Sequence, residues 1–175
     1  MLVASVLTGT LASKLKDHAR LSARSAFRTQ VLFDTDRLLQ KAKSNDDILS
    51  VTCMQLSRLL DRSIVAYTKS ENGMSTGRLF AEKKYTYSEN LLNAAEQKAA
   101  EWAFQNGRRT GATTAQFGKS ECLYLAIRAG DRVYGVIGIP MRPEKPDSFE
   151  NSIVLSVVNE CALAMDNTCL LYTSP

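Results

Sequence analysis

The sequence predicts an α+β fold: an antiparallel sheet flanked by helices, with a long helix at the N-terminus. Three observations carry that prediction. Residues 13–42 contain neither Gly nor Pro, so nothing interrupts a helix there. Residues 121–128 and 132–141 are two β-rich runs joined by Ala129-Gly130-Asp131, a tight-turn signal. From residue 148 to 167, Ile153, Val157, Cys161 and Ala164 recur at helical spacing. A hairpin with helices before and after it can bury its apolar side only by packing as sheet against helix.

The N-terminal helix acquires an apolar face at Leu11, Leu15, Phe27, Val31 and Leu38, spaced by fours and sevens around a gap. Such a seam pairs with a second copy or packs on its own domain. Ser44 then caps a second helix, with Asp47 completing the box, and Ile48, Thr52, Leu56 and Leu59 form one face. Residues 62–69 read as a strand, Glu71-Asn72-Gly73 as a turn, and residues 74–80 as a returning strand; residues 83–87 carry no clear pattern. Ser88 caps a third helix that runs to Asn106, with Leu92, Ala95, Ala99 and Trp102 on one face, and Gly107 ends it. Residues 108–120 form an ordered loop containing Gly111 and Gly118, and Pro143 and Pro146 impose a loop after the hairpin.

The chain has 175 residues, enough for one domain with an appended helix, and 45% apolar against 23% charged residues excludes wholesale disorder. The net charge of +4 is concentrated. Lys14, Lys16, Arg20, Arg24 and Arg28 lie within fifteen residues, opposed only by Asp17. That composition suits anionic lipid, nucleic acid or a solvated helix face. Residues 1–13 carry no charge, but a bilayer takes about 20 apolar residues to cross. A secretory leader places its positive charge before the apolar run, and here it follows. A buried helix and the C-terminal half of a membrane helix remain; the switch to Lys14, Lys16 and Arg20 favours the second.

Cys53, Cys122, Cys161 and Cys169 form no CxxC pair, and the single histidine, His18, is distant in sequence, so a structural zinc site is not expected. Arg108, Arg109, Thr110, Thr113 and Thr114 follow a helix end in a Gly- and Thr-rich loop. Guanidinium, hydroxyl and backbone N–H groups together suit an anion or nucleotide pocket. The alternative is a helix C-terminus that favours cations. Trp102 is either a wall of that pocket or core, and Tyr124 and Arg128 share a strand face with Cys122, toward the pocket or toward water. Cys122 is a redox sensor or, more simply, an inert packed thiol. Ser-His-Asp, paired-carboxylate, Walker-type and metal-cluster patterns are not visible, so turnover by this polypeptide is not expected.

The order of these elements, with Gly130-Asp131-Arg132-Val133-Tyr134-Gly135-Val136-Ile137-Gly138 as closing hairpin, resembles a GAF domain. Two stretches resemble the KdpD-type sensor histidine kinases within that fold. One is residues 7–16 with His18-Ala19-Arg20, similar to the exit of that family's last membrane helix; the other is residues 101–107 followed by Thr110-Gly111-Ala112-Thr113-Thr114. The resemblance implies a membrane-helix end over residues 1–13, a basic juxtamembrane helix over 14–43 and a GAF-like sensor domain over 44–167. From Cys169 to Pro175 the residues do not continue the helical pattern, so 168–175 reads as a truncated or non-native tail. The resemblance also implies a sensory and relay region for potassium limitation or osmotic stress, in a bacterial inner membrane with the GAF domain in the cytoplasm. The partners implied are a second copy in the full-length protein, a response regulator reached through the kinase core, and an anionic membrane surface, with no nucleic acid. No cofactor is expected in this stretch; ATP belongs to the kinase domain. The family's phosphoacceptor segment is not in this sequence, and His18 cannot replace it. The loop also departs from the family, with Thr113 and Ala115 where a second glycine and an acidic residue are usual. Two other readings stand beside this one: a free-standing small-ligand module and a GAF-like methionine sulfoxide reductase using Cys122.

Overall fold

A computed structural model describes residues 2–81, 89–141 and 147–173. Ser88, Pro143 and Pro146, and the pattern-poor residues 83–87, lie outside the described residues. The chain divides into two units, residues 1–34 and residues 35–175. The first consists of helix. Helix α1 spans Leu2–Leu39 without a break, and Leu11 (59% exposed), Leu15 (67%) and Phe27 (50%) stand in solvent.

The second unit holds the last turn of α1 and everything after it. Helix α2 (Asn45–Leu60) begins as its sequence dictates: the Ser44 side chain accepts a hydrogen bond from Asp47 N at 3.1 Å. The box closes one residue early, because Asp47 Oδ2 accepts from Lys43 N. Asp61 ends α2 in the left-handed conformation, which an Asp tolerates better than most residues. The following strands are β1 (Ile64–Ser70), β2 (Gly73–Met74) and β3 (Arg78–Phe80). The expected single return strand is therefore two short pieces, both paired antiparallel with β1. A 3-10 turn (Glu89–Leu92) leads into α3 (Ala94–Asn106). The cap of α3 is Asn93, whose side chain accepts from Glu96 N, and Gly107 closes the helix with φ +60°. Strand β4 (Thr110–Gly111) lies inside the expected loop, and β5 (Cys122–Ala129), β6 (Arg132–Pro140) and α4 (Ser148–Thr173) complete the order.

The sheet runs β2-β1-β6-β5-β4, with β3 also on β1. Helices α2 and α4 pack together and against one face, where Leu123, Leu125 and Ile139 meet α4. Helix α3 covers the other face, where Cys122, Tyr124, Val65, Tyr67 and Val136 meet Ala99, Ala100 and Ala103. Both faces are buried, so these strands are apolar on both sides rather than alternating. Each of the large apolar side chains at this centre contributes about 1.5–3 kcal/mol by leaving water. A bulge interrupts the hairpin between Ile127 and Arg128, leaving Tyr134 as the extra residue of β6. Its hydroxyl donates to Asp166 on α4. Arg62 joins three elements: it donates to Pro140 O at 3.1 Å and to Glu150 Oε1 at 2.6 Å.

Several expectations change here. In α1, Leu38 is 37% exposed and Leu39 is buried at 7%, so the inward face differs by one residue from the seam the spacing suggests. Of the face expected for α3, Ala99 is buried and Trp102 half-buried, but Leu92, which lies in the 3-10 turn, and Ala95 face solvent, and Glu96, Ala100 and Ala103 are buried beside Ala99. Leu60 rather than Leu59 is buried in α2. Helix α4 continues to Thr173, so Cys169 does not mark the end of the helical pattern. Among the described residues, 148–171 is the one helix stretch long and apolar enough to cross a membrane, and 39% of its apolar window is buried. Its inward residues, Ile153, Val157, Cys161 and Met165, are 0–2% exposed, as expected of the core helix of a folded domain.

Candidate functional site

The space between α3 and the sheet holds a buried polar cluster. Helix α3 reaches the sheet closely because Ala99, Ala100 and Ala103 present almost no side chain. That approach delivers Glu96, 3% exposed, to the start of β5. Its Oε1 accepts from Glu121 N at 2.9 Å, and its Oε2 accepts from Cys122 N at 3.3 Å and from the Tyr124 hydroxyl at 2.7 Å. The rings of Tyr124 and Tyr67 meet edge to face, with centroids 6.2 Å apart. Glycines make the room: a Cβ on Gly138 would stand 2.5 Å from the Tyr124 ring, and one on Gly77 2.8 Å from the Tyr67 ring. The Tyr67 hydroxyl is buried with no hydrogen-bond partner among the described residues.

Burial governs the ionisation of this cluster. It pushes the Tyr67 hydroxyl up to about 12 and the Tyr124 hydroxyl well above its usual range. Burial, then the neighbouring Glu96 carboxyl, pushes the Cys122 thiol up to about 12. Cys161 is pushed up to about 12 and Cys53 well above its usual range, both chiefly by burial. Each of these groups holds its proton more tightly folded than unfolded. The stability they contribute is complete below the unfolded values, ~8.5 for Cys and ~10 for Tyr, and is lost as pH rises beyond them. A thiol held protonated is a poor nucleophile, which removes the support for Cys122 as a redox or reductase residue. Titration with a disulfide reagent at pH 8 should therefore show at most one fast thiol, the half-buried Cys169, and all four only in denaturant. Two or more fast thiols in the native protein would contradict the packing described.

The residues expected to form an anion pocket do not converge on one. Arg108 and Arg109 are exposed beyond the Gly107 cap. The Thr110 hydroxyl, fully buried, donates to Gln116 O at 2.9 Å. The Thr114 hydroxyl lies 2.8 Å from Gly111 O and 2.7 Å from Gln116 O. Both hydroxyls thus hold the loop on itself. Thr113 takes φ +67°, rare for a β-branched residue, and with Arg109 it rims a cavity of about 100 Å³ floored by Leu123, Leu125 and Ile139 against α4. Tyr124 lies on the opposite face of the sheet, toward α3. Trp102 is half-buried on α3, and Arg128 is exposed, its side chain beside Gly107. Glu96 and Tyr67 were not singled out by the sequence. The signal for Glu96 was present as Asn93-x-x-Glu96, a cap followed three residues later by an acid. The basic residues Lys14, Lys16, Arg20, Arg24 and Arg28 are all exposed on α1, and the last four, spaced by four, form one stripe.

This arrangement, an antiparallel sheet between a helix pair and a covering helix with a short strand in the loop before β5, defines the class: the chain folds as a GAF domain carrying a long N-terminal helix. The GAF domain of the potassium sensor histidine kinase KdpD from Escherichia coli superposes with a TM-score of 0.61 at 17% identity, covering 82% of this chain and 96% of that one. The GAF domain of a sensor histidine kinase from Pseudomonas syringae pv. tomato gives 0.58 at 15%, covering 88% and 95%. In sequence the chain is KdpD-like along nearly its whole length: it is 28% identical to the sensor protein KdpD of Clostridium acetobutylicum over 97% of this chain. It spans 19% of that protein's length. No family model matches the chain.

Proposed function

We propose that this chain is the membrane-proximal sensory and relay segment of a KdpD-type sensor histidine kinase that responds to potassium limitation or osmotic stress. The observation that carries this reading is the KdpD similarity, which takes in 97% of the chain and thus both α1 and the GAF domain. Residues 1–13 would end a membrane helix in the bacterial inner membrane, residues 14–43 would form the juxtamembrane helix, and the sensor domain over 44–167 would lie in the cytoplasm. Lys14, Lys16, Arg20, Arg24 and Arg28 would meet anionic headgroups. A homodimer of the full-length kinase would carry the signal through α4 to a kinase core, which supplies the ATP chemistry and engages the response regulator. The continuity of α1 supports a mechanical relay, in which helix displacement biases two states only a few kcal/mol apart.

The test is a chimera in which this chain replaces the matching segment of the Clostridium acetobutylicum kinase, with a reporter driven by its response regulator. Induction by potassium limitation should survive the exchange. Two residues inserted after Arg24 turn the helix by about 200° and should abolish the response. A chimera indifferent to potassium and osmolarity would sink the assignment, and a response untouched by the insertion would sink the relay.

A further inference from the structure

The cavity of about 100 Å³ between the sheet and the first turns of α4 lies on the face opposite the Glu96 cluster. Leu123, Leu125 and Ile139 floor it, and Val154 and Leu155 wall it from the helix. Leu125, Ile139 and Val154 are 3–6% exposed, so its inner end is apolar and shut off from solvent. Its mouth is polar: Arg109 and Thr113 come from the loop around β4, and Glu150 and Asn151 from the first turn of α4. The charges there do not cancel. Glu150 is taken up by Arg62 at 2.6 Å, and that arginine side chain is 12% exposed. Arg109 enters no ion pair among the described residues, which leaves one positive charge unbalanced. Three donors are likewise uncommitted. The Arg109 guanidinium, the Thr113 hydroxyl and the Asn151 side-chain amide make no hydrogen bond among the described residues, whereas the Thr110 and Thr114 hydroxyls are both used inside the loop. Thr113 also holds φ +67°, the kind of strain that folds keep where a side chain must be aimed.

We propose that this cavity binds a short-chain carboxylate, with the carboxylate at Arg109, Thr113 and Asn151 and the hydrocarbon tail against Leu125, Ile139 and Val154. The mouth selects the head group. A guanidinium fork matches the two oxygens of a carboxylate, the neighbouring hydroxyl and amide donate to the same group, and the positive end of the α4 dipole favours an anion. The inner end selects the tail. A space of this size takes about three groups of ~30 Å³ each, which fits a tail of about three carbons and excludes a nucleotide or a long acyl chain. An inorganic anion would satisfy the donors and leave the apolar end empty. The inference goes beyond the relay reading and rests on no part of it, because binding is read in the chain alone.

Isothermal titration calorimetry of the full chain with sodium butyrate tests this. For so small a ligand the Kd should be on the order of 1 mM. Acetate, which lacks the tail, should bind roughly tenfold more weakly. n-Butylamine, with the same tail and the opposite charge, should not bind detectably. Arg109→Gln should weaken butyrate roughly tenfold with an unchanged circular dichroism spectrum, because Arg109 is exposed and supports no core contact. Val154→Phe fills the space and should abolish binding. Methyl NMR of the native chain locates the ligand without any variant: butyrate should shift Leu125 and Val154 and leave Val65 and Val136, on the opposite face, in place. No binding of butyrate, equal binding of butylamine, full affinity in Arg109→Gln, or shifts confined to Val65 and Val136 would each overturn the proposal. Octanoate binding far more tightly than butyrate would also overturn it, and would assign the face to lipid acyl chains. A chimera that responds to potassium while the chain ignores butyrate would sink this inference and leave the assignment of function standing.

Discussion

Glu96→Ala should cost about 3–5 kcal/mol of folding stability, because it strands three donors at the start of β5. The Tyr124 hydroxyl and Cys122 N are buried and lose their acceptor outright, and Glu121 N loses its own. Glu96→Gln keeps one acceptor oxygen but turns an amide donor toward other donors, so an intermediate loss of about 2 kcal/mol is expected. Tyr124→Phe removes one donor and leaves the carboxyl two partners, at about 1–2 kcal/mol. The double variant Glu96→Ala, Tyr124→Phe should lose less than the sum of the singles, since no hydroxyl is then left unpaired. Urea unfolding followed by circular dichroism measures all four. If Glu96→Ala lies within about 1 kcal/mol of the native protein, the carboxyl does not hold this contact.

The same cluster shows where sequence reading reached and where it stopped. The Ser44 cap and the Gly130-Asp131 turn were legible because each is decided by neighbours in the chain. Both ends of the closing hairpin fall within a residue of expectation for that reason. The face of α3 was not legible. Periodicity assigns Leu92 and Ala95 inward, yet what α3 meets is the start of β5, offering two N–H groups and a phenol, and that partner selects Glu96. The candidate pocket failed for a related reason. Arg109, Thr113 and Tyr124 are close in sequence order, but the pleat sends Leu123 and Tyr124 to opposite faces, and the residues divide accordingly. The Thr110 and Thr114 hydroxyls looked available because a sequence does not reveal that nearby carbonyls need them. The C-terminal turns of α4 were missed because none of residues 168–171 is buried, so they extend no inward stripe.

That loop carries the other large effect. Gly111→Ala should destabilise the fold by about 3 kcal/mol or more, from two independent causes. Its φ is +91°, a conformation a residue with a Cβ adopts only with strain. Its Cβ would also stand 2.2 Å from Cys122 O, which is backbone in the middle of a sheet and cannot step aside. Relief means separating β4 from β5. That breaks the Ala112 N bond to Cys122 O at 2.8 Å and disturbs the turn in which Gly111 N donates to Gln116 O, also at 2.8 Å. The Thr110 and Thr114 hydroxyls share the Gln116 carbonyl, so they lose their anchor together. The Thr-Gly-Ala-Thr-Thr motif is therefore held by chain geometry: Gly supplies the positive φ and the close approach, and the threonines tie the turn. Gly118→Ala, whose Cβ would meet only Thr114 O at 2.8 Å in an exposed turn, should cost clearly less. Thermal unfolding separates the two. A Gly111→Ala protein that melts within a few degrees of the native one would show that β4 yields freely and that the glycine answers to something other than the fold.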